Sequence, residues 1–478
     1  MKNHFYQNIG LLVLINLLIK PLYIFSIEAE VQNQIGDQEY GLYFAIFNFL
    51  FIFQWVLDPG IQNYNSQLLS KERTLLLETL QHTITAKAIT ATAFFLGIGL
   101  LACGIFGWHL LPITLLMAVN MILLSFAVFF RSHFSIMGSY MTDSLLSCVD
   151  KVLLVLALGY VLYISPIDMT VLRFVQVQTA VLVMSVMIIG LCFVHRFRGV
   201  ELKFDSTQII SIIRKSFPFA LIFILMSLYN RMDGIMLKFL VDDNFLSAGI
   251  YAAGFRVYDA MNMIGYLFAS LLLPMYANEM KSLDRLYRLY DESLRLMLVI
   301  AIVASLGTFF FSSEILSLVY DNVDDRHIAV FRVLSLSFFS VALTYIFSTL
   351  MTASAKLKVF NRLLAAGVVI NFGLNLYLIP RLQAQGAAIA TFITQGLLLI
   401  GQIILVFSTF TFKVDYRFIL QVASIIGVTI VAYLLVQAYV PIHFILQLCL
   451  GAIISLAYIL ALNFLRLDTI RARNRSEN

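Results

Sequence analysis

The chain has 478 residues, 61% of them hydrophobic and only 12% charged, with a net charge of +5. A soluble chain of this size carries about twice that charged fraction. A mean hydropathy of +0.90 excludes a water-facing surface, so the composition is that of an all-α polytopic membrane protein. At about 20 residues per span, about 14 transmembrane helices use roughly 280 residues and leave roughly 200 for tails and loops. That excludes an inserted catalytic or nucleic-acid-binding domain.

Apolar runs place the spans at 9–27, 41–60, 84–106, 110–130, 144–164, 170–194, 217–240, 248–275, 295–318, 328–351, 360–380, 386–408, 417–437 and 441–464. Long runs bordered by charge favour helices over barrel strands, which would show short alternating segments. The segment Met1 to Gly10 is polar and short, and the apolar run after it lacks a small-x-small cleavage signature. The first span is therefore expected to be retained rather than removed as a signal peptide. Cys103, Cys148, Cys192 and Cys449 lie inside apolar runs without CxxC or zinc spacing, so neither a disulfide framework nor a metal site is implied. No Lys/Arg-rich arm interleaved with aromatics exists, so nucleic acid is not an expected partner.

Charge sorts the loops into two classes. Loops after even-numbered spans hold Lys71, Arg73, Arg131, Arg196, Arg198, Lys203, Arg214, Lys215, Lys281, Arg285, Arg288, Lys356, Lys358, Arg362, Lys413 and Arg417, and the tail adds Arg466, Arg471, Arg473 and Arg475. Loops after odd-numbered spans carry Glu28, Glu30, Asp37, Glu39, Asp242, Asp243, Asp321, Asp324 and Asp325, with only Arg326 against them near 321–327. This asymmetry predicts both termini in the cytoplasm and an even number of spans. In one basic loop, Leu283, Leu286, Tyr287, Tyr290 and Leu294 recur at helical spacing, with Arg285, Arg288, Asp291 and Glu292 largely opposite. That pattern fits an interfacial helix lying along the headgroups, or a solvated linker helix.

An internal echo joins the two halves. Tyr40-Gly41-Leu42-Tyr43-Phe44-Ala45 opens the second span and Ala248-Gly249-Ile250-Tyr251-Ala252-Ala253 opens the eighth, each after an acidic loop. A displacement of six spans keeps the orientation, as in a parallel repeat about an axis along the membrane normal.

Charged side chains near the bilayer centre cost roughly 2.5–3.5 kcal/mol on insertion scales and are functional candidates by default. Lys20 lies ~3 Å past the middle of the first span, Arg231 ~4–5 Å past that of the seventh, and Arg256 ~6 Å before that of the eighth. The alternating direction of the spans puts all three at similar depth, slightly to the outer side. Arg256 and Asp259 are three apart on one helical face and can neutralise each other. Arg231 and Asp233 are two apart and point to nearly opposite sides, and Lys20 has no acid within a helical turn. Lys20 and Arg231 are thus the leading cations for binding an anion. Lys87, Lys238, Arg173, Arg332 and Arg381 lie nearer span ends, where long stems snorkel to the headgroups. Lys151 has Asp150 and Asp143 nearby and is read as a local ion pair. Lys20 is followed by Pro21, which removes a helix hydrogen bond and crowds the Leu17 carbonyl. By the apolar runs, Pro21 is alone among the eight prolines in lying well inside a span. It marks a bending element, or a kink that serves packing.

No catalytic residues or cofactor are expected. The chain has seven His and no HExxH, GxSxG or Walker sequence, so it is read as a non-enzyme without its own ATPase.

Three stretches carry a family resemblance. The first is Gly41-Leu42-Tyr43 leading to Asp58-Pro59-Gly60-Ile61-Gln62-Asn63. The second is Asn230-Arg231-Met232-Asp233-Gly234-Ile235-Met236-Leu237 followed by Ala248-Gly249-Ile250-Tyr251. The third is Asn371-Phe372-Gly373-Leu374-Asn375-Leu376-Tyr377-Leu378-Ile379-Pro380 with Gln385-Gly386-Ala387-Ala388-Ile389-Ala390-Thr391. Together, and over nearly the whole chain, they resemble the Wzx-type polysaccharide flippases (O-antigen and other lipid-linked oligosaccharides) of the multidrug/oligosaccharidyl-lipid/polysaccharide superfamily. The resemblance implies a six-helix lobe over 1–200, a second over 201–412, and two extra helices with a cytoplasmic tail over 413–478. It implies a central cavity and a polyprenyl-pyrophosphate-linked oligosaccharide as substrate, moved by alternating access in a bacterial inner membrane. On that reading Lys20, Arg231 and Arg256 hold the pyrophosphate, with Pro21, Asp233 and Asp259 supporting or gating. Membrane lipids and a coupling ion, H+ or Na+, are the expected partners, and a monomer is expected. The competing readings are a cation-coupled drug exporter of the same superfamily and, from another class, a polysaccharide polymerase or ligase. The latter would resemble chains with a large extracytoplasmic loop, whereas the longest here is about 14 residues.

Overall fold

The computed structural model describes residues 19, 21–62, 65, 76–165, 168–197, 204–354, 357–410, 412 and 415–465. Lys20 lies outside these residues, as do the loop cations Lys71, Arg73, Arg198, Lys203, Lys356 and Lys413 and the four tail arginines. The described residues are helical, with no strand among them. Ten helices among them are long and apolar enough to cross a membrane. One of these, Lys358–Phe410, has 53 residues, or about 80 Å of helix against a hydrocarbon core of about 30 Å. It is broken at Gln383, with φ 51°, into the eleventh and twelfth spans. From the second to the fourteenth, each expected span has a helical counterpart among the described residues, and the described end of the first, 21–27, is helical, so the chain is an all-α multi-pass membrane protein. It divides into two compact units, Met1–Gly249 and Ile250–Asn478.

In the first unit, Pro21 stands in a helical turn that passes directly into a π-helical turn, Ile24–Glu28. The helix Ala29–Ile52 follows. The polar loop expected after residue 27 is therefore helical as far as Gly36, whose φ of 82° breaks the helix. Two glutamines of this stretch are held by hydrogen bonds. Gln32 Nε2 donates to Asp37 Oδ1 at 2.8 Å and to the Gly249 carbonyl at 3.1 Å, and Gln34 Nε2 donates to Glu30 Oε1 at 3.0 Å. The third span is Leu76–Ala93, a π-helical turn and Leu100–Phe106; the fourth is Leu111–Ile136. The fifth is interrupted, Tyr140–Leu146 then Val149–Tyr163, and the sixth is Val171–Arg196. The seventh, Ser206–Leu240, starts where the Asp205 carboxylate accepts from the Thr207 and Gln208 amides, an N-cap that satisfies otherwise orphaned donors. The glycines of the sequence echo meet in this unit. A Cβ on Gly41 would overlap the Phe245 carbonyl oxygen and the Gly249 nitrogen, and one on Gly249 would overlap the Asp37 carbonyl.

The second unit revises two expectations. The helix Leu246–Glu279 runs beyond its apolar stretch and encloses Pro274, and Pro380 lies inside Leu357–Phe410. Pro21 is thus not alone among prolines within helices; membrane helices tolerate proline where neighbouring groups take up the freed carbonyl. The amphipathic stretch from Leu283 is neither an interfacial nor a linker helix. It is the first part of one helix, Leu283–Phe310, continued by Ser312–Val319. Leu286, Tyr290 and Leu294 are buried while Leu283 and Tyr287 stay exposed, so the stripe packs against protein. Tyr290 stacks on Phe412, centroids 5.0 Å apart, and leans on Phe347 at 5.9 Å. The tenth span, Asp325–Ala353, is capped by Asp324 with His327 closing a capping box. The last two spans are Tyr416–Tyr439 and Phe444–Ala461. Buried Arg295 joins them to the ninth span. Its Nε donates to Asp291 at 2.8 Å, a terminal nitrogen donates to the Phe464 carbonyl at 3.2 Å, and the guanidinium lies 4.9 Å from the Phe418 ring and 5.0 Å from that of Phe464.

Candidate functional site

The sequence read Lys87 as a snorkelling residue near a span end; the structure contradicts this. Its side chain is 0% exposed. The ammonium donates to Ser125 Oγ at 2.6 Å, to the Leu57 carbonyl at 3.1 Å and to Asp58 Oδ2 at 3.4 Å. Its Nζ also lies 5.9 Å from the Phe129 ring centroid. The physical reason is the end of the second span. Gln54–Leu57 is a single helical turn, and Asp58 leaves the helix with φ −137°, so the Leu57 carbonyl and the Asp58 carboxylate face inward without helical partners. A buried cation on the third span supplies the donors they need. Thr90, one turn on from Lys87, adds a hydroxyl to the Leu57 carbonyl at 3.0 Å. Asp58 is 22% exposed, and its Oδ1 accepts from the backbone N–H of Gln62 at 3.3 Å.

Asp58 and Ser125 stand on the wall of a cavity of about 210 Å³, also lined by Gln54, Gln62, Val128 and Phe223. The second, fourth and seventh spans contribute to it, and Lys87 on the third backs it. Phe223 leads to Arg231, one of the cations singled out in the sequence. The Phe223 and Phe51 ring centroids are 6.1 Å apart, and the Arg231 guanidinium lies 4.9 Å from the Phe51 centroid and 5.8 Å from that of Phe47. Arg231 is half-buried, and Asp233, on the same helix, is buried. The two aromatic faces are separated by one helical turn of the second span, and ring quadrupoles favour a cation against them.

The remaining sequence candidates fall elsewhere. Arg256 and Asp259 lie half-buried, one helical turn apart, in the second unit. Lys20 is outside the described residues. Lys151 pairs with Asp150 at 3.5 Å and lies 4.9 Å from the Tyr23 ring. Asp143 serves instead Arg131, at 3.1 Å, and Ser135, at 2.5 Å. Arg332 donates to Ser312 Oγ at 2.9 Å, and Arg381 lies on the Tyr377 ring at 3.9 Å. The Lys87–Asp58 pair escaped sequence reasoning because its members lie on different spans, and the Arg295 clamp because Phe418 and Phe464 lie far along the chain from it. The one available signal was Asp58-Pro59-Gly60, an acid at the point where a span must stop.

The fold is shared with known transporters. The chain is similar to the lipid II flippase MurJ in an inward closed conformation, with TM-score 0.68 and 11% identity over 96% of this chain and 98% of that one. It is similar to a multidrug resistance MATE family transporter of the MOP superfamily in an inward-facing conformation, with TM-score 0.63 and 11% identity over 84% of this chain and 98% of that one. A MOP superfamily transporter from Pyrococcus furiosus gives TM-score 0.59 and 11% identity over 85% and 96% of the two chains. At such identities the likeness is one of fold. Comparison with curated proteins gives no match. Residues 5–280, more than half of the chain, match the family described as polysaccharide biosynthesis protein. With the resemblance carried by its own motifs, that match makes the chain a member of the polysaccharide biosynthesis protein family, built on the fold of the multidrug/oligosaccharidyl-lipid/polysaccharide superfamily.

Proposed function

We propose that the chain is a flippase that carries a polyprenyl-pyrophosphate-linked oligosaccharide from the cytoplasmic to the outer leaflet of a bacterial inner membrane, for cell-surface polysaccharide synthesis. The observation that carries this reading is Arg231, a permanent cation on a membrane-spanning helix held against Phe47 and Phe51. A pyrophosphate loses its water on entering a partly dehydrated cavity, which is costly unless cations or donors replace that water. A guanidinium fork matches phosphate oxygens in pairs. Lys20 and Arg256 are assigned the same role, Asp233 and Asp259 a supporting one, and Pro21 the bend in the first span. The lobes 1–200 and 201–412 would rock to expose the headgroup on either side while the prenyl tail stays in lipid, with 413–478 outside them. Drive would come from an H+ or Na+ gradient or from substrate flux.

The test is export of lipid-linked glycan in cells lacking the native protein, with membrane expression measured in parallel. Lys20→Gln and Arg231→Gln should block export at normal expression. Lys20→Arg should keep part of the activity, because charge survives while geometry changes. Lys238→Gln, at a span end beside the Phe245 ring at 4.9 Å, should be mild. Full complementation by both neutral variants would remove these residues from the pyrophosphate site.

The second reading, a cation-coupled exporter, draws on buried Asp233 and on the likeness to MATE transporters. It expects Asp233→Asn to abolish transport of cationic dyes.

A further inference from the structure

The cavity beside Lys87 has a chemistry of its own. An ammonium has three donors, and Lys87 directs them to Ser125, the Leu57 carbonyl and Asp58. It has none left for a ligand, so it acts as a positioning residue that fixes Asp58 and Ser125 on the wall. The Lys87 and Asp58 charges cancel, and no other charged side chain lines the cavity among the described residues. A free phosphate would meet the Asp58 carboxylate, and a cationic drug would meet a carboxylate already paired.

The wall nevertheless carries unused polar capacity. Ser125 accepts from Lys87, and its own proton has no acceptor among the described residues. The side-chain amides of Gln54 and Gln62 line the cavity half-buried and make no hydrogen bond among the described residues. Each amide offers two donors and an acceptor, and the carboxylate offers further acceptor sites. Phe223 adds an aromatic face, 39% exposed. Amides and a carboxylate pair with adjacent hydroxyls, and a ring face covers the C–H side of a sugar. The volume of about 210 Å³ suits one sugar ring and is too small for a whole oligosaccharide.

We infer that Gln54, Asp58, Gln62, Ser125 and Phe223 form a subsite for one neutral sugar residue of the transported glycan, its wall held in place by Lys87. This rests on the flippase reading and assigns the sugar end of the substrate to the cavity, with Arg231 beyond Phe51 left for the pyrophosphate.

The test compares two probes on the full-length protein in lipid nanodiscs. One is undecaprenyl pyrophosphate; the other is lipid-linked oligosaccharide extracted from the source strain deleted for this protein. Wild type should bind the oligosaccharide-bearing lipid at least tenfold more tightly. Gln54→Leu and Gln62→Leu remove side-chain amides that make no hydrogen bond among the described residues, so both variants should fold. Each should erase most of that tenfold difference and leave binding of undecaprenyl pyrophosphate within twofold. Phe223→Leu should act in the same direction. If the two lipids bind wild type equally, or the glutamine variants keep the full difference, the sugar subsite is overturned while the flippase reading stands. If wild type binds neither lipid, the flippase reading itself fails and takes the subsite with it.

Discussion

Lys87 is a residue whose removal the fold should tolerate poorly. Its hydrogen bonds reach the Leu57 carbonyl on the second span and Ser125 on the fourth, so one ammonium ties three spans together. Lys87→Met keeps much of the volume but leaves Asp58 without its counter-charge. Removing one partner of a buried ion pair costs about 3–5 kcal/mol. Asp58 is 22% exposed, which favours the low end, about 3 kcal/mol by that scale. Asp58→Asn added to Lys87→Met should recover most of the loss, because no bare charge remains. Thermal unfolding of the purified protein in detergent measures both; an equal loss in single and double variants would show that the ion pair does not govern stability. Arg231 differs, since its ring contacts need a flat cation. Arg231→Lys keeps the charge and loses the planar stack, so export should fall severalfold with unchanged expression; wild-type export would deny Phe47 and Phe51 any part in holding it. Asp324, outside the membrane at the head of the tenth span, gives a pH signature. Burial pushes its carboxyl upward, but hydrogen bonds from His327 and Arg326 outweigh that and hold it at about 2, below its ordinary 3.8. A depressed carboxyl contributes stability that is present above the unfolded value and is lost as pH falls through the folded one. Asp324→Ala should therefore cost about 1 kcal/mol at neutral pH, as for other N-caps. The wild-type advantage should vanish between pH 3.8 and about 2, and an advantage unchanged at pH 2 would refute the cap.

The described end of the first span has an irregular backbone. Pro21 is followed by the π-helical turn Ile24–Glu28, and π-helical turns leave carbonyls unmatched and recur at functional positions. The Ser26 carbonyl in this turn accepts from the Tyr163 hydroxyl at 2.9 Å, and the Leu162 carbonyl accepts from Gln34 at 3.3 Å. The irregular turn is thus docked on the end of the fifth span. Pro21→Ala restores a backbone donor and Tyr163→Phe removes the clasp, so both should slow export while insertion stays normal. Full activity in both would make the bend a packing feature. At the first-to-second span junction the tolerance is smaller still. Alanine at Gly41 or Gly249 would place a Cβ inside backbone atoms, so either substitution should separate these segments and lower folded yield. The spans themselves were legible in the sequence, because apolar run length and bordering charge are local properties. The extension of the first span to Gly36 was not, because Gln32 and Gln34 look like loop residues until their hydrogen bonds are seen. Lys87 was misread for the same reason: Asp58 and Ser125 stand on other spans, and proximity to a span end was the only local clue. Arg231 was legible as a deep cation, while its aromatic support depended on how the second and seventh spans face each other.

For the molecule as a whole, orientation rests on loop charge. The turns around Gly36, Asp242–Asn244 and Asp321–Asp325 follow odd-numbered spans and are acidic, and the connection at Glu279–Leu283 follows an even one beside Lys281, Arg285 and Arg288. Because Lys and Arg resist translocation, the basic side is expected to face the cytoplasm. Helix geometry sharpens the test. Gln34 and Arg288 both have exposed side chains, so a failure to react at either reports the membrane barrier rather than burial in protein. Cys103 is buried and Cys148 half-buried, but Cys192 and Cys449 are exposed, so all four are first replaced by serine or alanine. In intact spheroplasts a cysteine at Gln34 should then react with a membrane-impermeant maleimide, and one at Arg288 should react only in inverted vesicles. One span too many or too few between the two positions would put both on the same side. Labelling of Arg288→Cys from outside, with Gln34→Cys silent, would reverse the whole chain. It would turn the acidic face toward the cytoplasm and, with it, the direction in which a headgroup could enter.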